Sequence, residues 1–410
     1  MKPSEPPDGR QGKEAPEVYA IRRGRSGWAL SRRSLFGAAA VAAAAAVPKT
    51  AQAAVCADHQ LADAWCVAIS ADGALLVSGG GSSIGLWSLP GGALLKTLSG
   101  HTGIVRSVAL SRDGRLLASG SLDNTVRLWS LPDGAPLGTL TGHSTYVEAV
   151  AISPDGKLLA SGSDDNTVKL WSLPDGGLLK TLTGQTSIVS GLAFGPDGSF
   201  LASANYDDSV MIWSMPDGAL LKTVTGPPFE SLGNVHSVAI SPDGRVLAAG
   251  NCWSQVKLFS LPGGESLKTL TTELGFVDGL AFTPDGRLLA AACYGGIKLW
   301  SAPDGALLKT LAVSQDQMHG VAINPDGRLL AAATGSAIWL WSLPDGNRMP
   351  VCLMDPAVSN SDVSGLAYTK NGVSYTVPCG TPMPTGAVCT CNCVPGSLGG
   401  GGGGHYWYPN

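Results

Sequence analysis

Between residues 61 and 346 the chain repeats one pattern of apolar and polar positions. Val147–Ser153 alternates small apolar with polar residues, and Lys157–Ser161, Val168–Leu173 and Leu178–Leu182 follow as three more short apolar-rich runs. Period-two alternation puts successive side chains on opposite faces of a strand. Pro154-Asp155-Gly156, Ser163-Asp164-Asp165-Asn166 and Pro174-Asp175-Gly176 separate the runs. In such a turn Pro presets φ, Asp bonds its own backbone and Gly takes the left-handed position. The pattern predicts four strands per unit and leaves no stretch long enough to nucleate a helix.

The unit recurs. Its first turn ends at Gly73, Gly114, Gly156, Gly198, Gly244, Gly286 and Gly327, spaced by 41, 42, 42, 46, 42 and 41 residues. An aromatic follows at Trp87, Trp129, Trp171, Trp213, Phe259, Trp300 and Trp341. A four-stranded sheet cannot bury both faces alone. Radial stacking buries them, and closing the ring protects the edges, so the sequence predicts an all-β propeller of four-stranded blades.

Gly100-His101, Gly142-His143 and the runs Leu-Ala-Ser-Gly-Ser…Asp-x-Thr-Val-x-Leu-Trp resemble those of WD-repeat β-propellers, over residues 61–346. Trp-Ser stands where that family often has Trp-Asp. The resemblance implies an internal hydrogen-bond tetrad of His101, Ser119, Asp123 and Trp129, and a second of His143, Ser161, Asp165 and Trp171. Repeat four has Gln185 for the His, and repeats five to seven lose the Ser, the Asp or both. The tetrad is structural, so its His and Asp are not catalytic candidates.

Residues 361–396 align as a degenerate further repeat, with Lys370-Asn371-Gly372 where the first turn belongs. Ala54–His59 precedes the first repeat, where a closing strand would sit. In WD-repeat propellers an N-terminal strand commonly completes the last blade. Eight blades are therefore favoured, with seven plus a Cys-rich tail as the alternative. Residues 397–410 are a Gly-rich tether with an aromatic end.

Composition narrows the function. With 44% hydrophobic residues the chain is no disordered polyelectrolyte, and its 55 Gly and 27 Pro are mostly the punctuation of the repeat. Residues 1–34 are polar and basic, residues 35–47 form an Ala-rich run too short to span a bilayer, and Ala51-Gln52-Ala53 fits a cleavage site. Ser31-Arg32-Arg33-Ser34-Leu35-Phe36 resembles a twin-arginine motif, which implies export of a folded protein. Residues 1–53 hold nine of the 27 Lys/Arg and four of the 31 Asp/Glu, so their removal changes the net charge from −4 to −9. Neither value suits a nucleic-acid partner, and no stable membrane span is expected after cleavage.

Cys389, Cys391 and Cys393 share one face of a predicted strand, with Cys379 on its neighbour and Cys56 on the proposed closing strand. Disulfides across that blade, a copper or zinc thiolate site with or without His405, and a docking tag are the three readings. No cofactor is otherwise implied, and no catalytic constellation is found. The turns between second and third strands carry Tyr206, Trp253 and Tyr294 in repeats four to six, and the inserted loop 226–235 adds Phe229. These four are candidate contacts for a protein, peptide or glycan. The expectation is an exported, non-catalytic WD-repeat scaffold, periplasmic or extracellular in a bacterium. The alternative is a metal-binding or redox protein, or a propeller enzyme, using the Cys cluster.

Overall fold

The computed structural model describes residues 64–348 except 227–231, 273–274, 303 and 336. It also describes the short strands Ala54–Val55, Leu353–Met354, Leu366–Lys370, Val373–Val377 and Val388–Cys389. The chain is an all-β propeller of four-stranded blades. The first sheet runs from Cys66–Ile69 to Leu94–Ser99 and the second from Val105–Leu110 to Pro136–Leu140. In the third, Val147–Ile152, Leu158–Ser163, Val168–Ser172 and Leu178–Leu182 pair in that order, close to the runs read from the sequence. Val189–Phe194 to Leu220–Val224 and Val235–Ile240 to Ser266–Thr271 repeat the meander.

The first turn of each unit is built by its own side chains. Gly156 sits at φ 71°, and its N–H donates to the Ser153 carbonyl at 2.9 Å. The Ser153 hydroxyl donates to Asp155 Oδ1 at 2.6 Å and accepts the Leu158 N–H at 2.9 Å. The Lys157 N–H also reaches Asp155 Oδ1, at 3.1 Å. A backbone reversal therefore closes without using the strand ladder.

Apolar faces meet between consecutive sheets. Leu116, Ala118, Val126, Leu128 and Leu140 of the second sheet pack on Val147, Val150, Leu159 and Trp171 of the third, all buried. Fully burying one such large side chain is worth about 1.5–3 kcal/mol. Towards the axis the inner strands crowd. A Cβ on Gly191 would lie 3.3 Å from the Ser237 Cα, and one on Gly279 would lie 3.3 Å from the Gly320 Cα. The equivalent positions Cys66, Ser107, Ala149 and Ser237 are correspondingly small.

The last sheet has six strands, from Gly279–Phe282 to Asn347–Arg348. Two of them are long. Leu288–Ser301 continues through Gly295 and Gly296, where the other units have a turn between separate strands. The first half of Leu307–Ile323 pairs with Gly296–Trp300, for example Leu311 with Ile297. Its second half pairs with Leu330–Thr334, for example Ile323 with Leu330. Leu329, Ala331, Ala333 and Leu340 then pack on Ala64, Val67, Leu76 and Trp87 of the first sheet.

The strands outside residues 64–348 do not pair as the expected further blade requires. Ala54–Val55 pairs with Leu353–Met354 instead of closing residues 387–396. Leu366–Lys370 lies between Val373–Val377 and Val388–Cys389, with Tyr368 opposite Cys389, whereas a blade would put the second strand in the middle. Apolar residues of the first and last sheets pack on each other at the seam.

Candidate functional site

Two tetrads tie the second and third strands to the loop that enters their unit. His143 Nδ1 lies 2.8 Å from Asp165 Oδ2, and its Nε2 lies 2.7 Å from Ser161 Oγ. The Trp171 indole N–H donates to the same Ser161 oxygen at 2.8 Å. The proton order is then fixed: indole to serine, serine hydroxyl to Nε2, Nδ1–H to carboxylate. His101, Ser119, Asp123 and Trp129 repeat this with 2.7, 2.8 and 2.9 Å contacts. Burial pushes both imidazoles below their ordinary pKa, and their carboxylate partners offset this only in part. The Ser-His-Asp order is that of an activated nucleophile, but Ser119 and Ser161 are wholly buried. Nor is either oxygen reachable by a substrate.

The next layer up is more varied. Inner strands are entered through buried apolar residues: Ala64, Val105, Val147, Val189, Val235, Val277 and Met318. The residues just after these meet across units. His319 stacks on Trp65 with ring centres 4.1 Å apart, and the Arg106 guanidinium lies 4.8 Å over the same indole. Arg106 Nε donates to Glu148 Oε2 at 2.8 Å, and the Ser190 hydroxyl donates to the Val235 carbonyl at 2.6 Å. Asp278 is clamped from both sides, by His236 Nδ1 at 3.1 Å and His319 Nδ1 at 3.3 Å. Gln317 adds an amide donor at 3.2 Å. Burial alone would raise the Asp278 carboxyl, but the two histidines outweigh it and hold it at about 2.

One group in this layer is poorly served. Asp164 Oδ1 is closed to solvent and has no hydrogen-bond partner. Burial and the nearby Glu148 charge push the Asp164 carboxyl up to about 6. The folded state thus binds a proton between pH 3.9 and pH 6 that the unfolded chain has released, so this residue's contribution falls as pH rises through that window. Asp164→Asn should stabilise the protein at pH 8 by the order of 1 kcal/mol, a figure discounted because the residue is only part-buried. At pH 4 the gain should vanish. Thermal melts at the two pH values check this, and an equal effect at both would refute it.

The turns between second and third strands sit at the same end, because the N–H groups of Leu122, Asp164, Tyr206 and Cys252 donate to carbonyls of the entering loops. Of the four aromatics singled out in the sequence, Trp253 is 53% exposed and Tyr294 41% exposed. Tyr206 is half-buried, its hydroxyl 3.3 Å from His236 Nδ1 and its ring 4.7 Å from the imidazole. Phe229 lies outside the described residues. Phe276, 49% exposed and stacked 5.0 Å from His236, joins the group unanticipated. The inner layer also went unread in the sequence. Its signal is positional, one residue after the apolar start of each inner strand, and its residue types change from unit to unit.

Several sequence expectations fall elsewhere. Residues 1–53, Cys56, Cys379, Cys391, Cys393, His405 and the tether 397–410 lie outside the described residues. Cys389 ends the strand Val388–Cys389. Among the described residues no helix is long and apolar enough to cross a membrane.

The family model described as "WD domain, G-beta repeat" matches residues 52–88, 92–130, 134–172, 176–214, 218–260 and 264–301. The protein named "Periodic tryptophan protein 2 homolog" of Schizosaccharomyces pombe is 45% identical over 64 residues, 15% of this chain and 8% of that one. Its namesake of Neurospora crassa is 44% identical over 64 residues, 15% of this chain and 7% of that one. The chain thus spans less than a tenth of the length of these curated relatives. Both are proteins of fungi, which overturns the expected bacterial periplasmic or extracellular location.

Proposed function

The chain belongs to the WD domain, G-beta repeat family, and from that premise we propose that it is a non-catalytic scaffold holding a protein or peptide partner. The contact surface is the end of the ring that carries Tyr206, Trp253, Phe276 and Tyr294. What supports this reading above all is the exposure of Trp253, Phe276 and Tyr294 together, on neighbouring units, in segments whose hydrogen bonds are met without them. Exposed aromatics grouped in this way are what interface centres are made of. The serine of each buried tetrad is unreachable, which weighs against chemistry there.

The ring itself is best read as seven units. On this reading the six-stranded sheet is two blades sharing Leu307–Ile323. Its support is the packing of Leu329, Ala331, Ala333 and Leu340 on Ala64, Val67, Leu76 and Trp87, together with the stacking of His319 on Trp65.

The test is a triple variant, Trp253→Ala with Phe276→Ala and Tyr294→Ala. Because these side chains are exposed, its melting curve should match the parent's, while the partners that co-purify with the parent are lost. An unchanged set of co-purifying proteins would remove this surface from consideration.

A further inference from the structure

The exposed aromatics Trp253, Phe276 and Tyr294 form one patch. The hydroxyl of Ser254, next to Trp253, donates to the Gly275 carbonyl at 2.9 Å, and Phe276 follows Gly275 in the chain. Gly275 in turn lies against Tyr294, where a Cβ on the glycine would stand 2.5 Å from the tyrosine Cβ. Gly233 backs the Trp253 indole, with a Cβ there only 2.9 Å from its Cδ2. Phe276 is stacked on His236. Backbone or a neighbouring ring thus holds each aromatic in place, which lowers the cost of ordering it on a partner.

The polar groups around this patch are unequally engaged. Its acceptors are taken: the Gly275 carbonyl by Ser254, the Phe276 carbonyl by the Gln317 amide at 3.2 Å, and Asp278 by His236, His319 and Gln317. The charges are matched as well, Arg106 with Glu148 and Asp278 with the two histidines. Two donors are left over. Trp253 is hydrogen-bonded through its backbone N–H, to Asn251 Oδ1 at 3.0 Å. Its indole N–H and the Tyr294 hydroxyl have no partner among the described residues.

We propose that the partner presents a proline-rich segment in the polyproline II conformation, its rings laid on Trp253, Phe276 and Tyr294 and its carbonyls accepting from Trp253 Nε1 and the Tyr294 hydroxyl. This rests on the scaffold reading above and names the chemistry of its partner. Polyproline II leaves every backbone carbonyl free, and each proline removes an N–H that would otherwise need an acceptor. The patch offers ring faces and donors, and the acceptors beside it are engaged. It therefore suits such a segment better than a sugar, whose hydroxyls also need acceptors. Because the neighbouring charges are already matched, neither a basic nor an acidic segment gains over a neutral one. Aromatic-lined surfaces hold proline-rich segments by the same means elsewhere.

The test uses the full chain and two fluorescently labelled twelve-residue peptides, Pro-Pro-Ser or Ala-Ala-Ser repeated four times, with maltohexaose as a competitor. The Pro peptide should bind at least about tenfold more tightly than the Ala peptide, because its conformation is set before binding. Its affinity should not change from low to high salt, since no charge takes part. Maltohexaose should not displace it. Trp253→Phe and Tyr294→Phe each keep a ring and remove a donor, so each should weaken the Pro peptide about fivefold, the worth of one hydrogen bond, with an unchanged melting curve. Equal binding of the two peptides, displacement by the sugar, or Phe variants that bind as the parent does overturns the inference. If Trp253→Ala with Phe276→Ala and Tyr294→Ala still releases co-purifying partners, the scaffold reading survives that failure; if the triple variant keeps them, the surface itself is wrong.

Discussion

Asp165→Ala should lower the free energy of unfolding by about 1–3 kcal/mol, as expected when a buried acceptor is removed and its donors are left unsatisfied. The carboxylate serves four donors. Its Oδ2 accepts from His143 Nδ1 at 2.8 Å and from the Ser144 N–H at 3.1 Å. Its Oδ1 accepts the Thr167 hydroxyl at 2.6 Å and the Thr167 N–H at 3.1 Å. The His143 side chain is 1% exposed, so water cannot replace the lost acceptor. The penalty is therefore desolvation of unpaired donors, beyond the net worth of any one hydrogen bond. The pH dependence has a defined sign. Burial outweighed by hydrogen bonds holds the Asp165 carboxyl below its ordinary value, so its stabilisation is present above about pH 3.9 and is lost as pH falls further. That acid limb should shrink in the variant.

The reciprocal change sits in the next unit. Gln185 is buried where a histidine would complete the tetrad, and neither its Nε2 nor its Oε1 has a partner. The rest of the network waits: Trp213 donates to Ser203 Oγ at 3.0 Å, and Asp207 Oδ2 takes the Thr186 hydroxyl at 2.6 Å. Gln185→His should gain about 1–2 kcal/mol by satisfying groups now buried unpaired. Urea unfolding at pH 7 reads both changes. A loss below about 0.5 kcal/mol for Asp165→Ala, typical of a surface substitution, would show that the network does not bear on stability.

These two units also mark where the sequence was legible. The tetrads could be read because histidine, serine, aspartate and tryptophan recur at constant offsets within one unit. The strands could be read because Pro-Asp-Gly turns interrupt period-two runs at regular distances. The layer containing Asp278 offers no such constancy. It joins three units through His236, Asp278 and His319, and nothing local in any of them says that the side chains converge. Tyr206 stood out as an aromatic in a turn, yet it became half-buried because His236 of the next unit lies beside it. Phe276 sits in a loop between units, where the repeat sets no template. Ala54–Val55 and Leu353–Met354 are strands of two residues, too short to show alternation, so their pairing left no trace in the pattern.

Gly320→Val should lower stability by about 3 kcal/mol, the upper end of the cost of overpacking, and should open the ring at one place. Gly320 pairs with Ala333 on an inner strand. A Cβ there would lie 3.1 Å from the Cys66 Cα, 3.3 Å from the Val67 nitrogen and 3.4 Å from the Trp65 oxygen. These are backbone atoms, fixed by the ladder of Cys66 with Gly79 and Val67 with Ser78, so they cannot turn aside as a side chain could. Gly191→Val is the control. Its Cβ would meet the His236 oxygen and the Ser237 Cα, each at 3.3 Å, an equivalent clash between consecutive units. That seam is tethered by the loop leading into Val235, whereas the last and first sheets are sequence-distant and meet by packing along Ala64, Val67, Leu329 and Leu340. Both variants should lose stability. Only Gly320→Val should also speed hydrogen exchange and proteolysis selectively in residues 64–88 and 318–342, before global unfolding. If its exchange were raised evenly across all sheets, or its stability stayed within about 0.5 kcal/mol of the parent, the last sheet would not be closing on the first through Gly320.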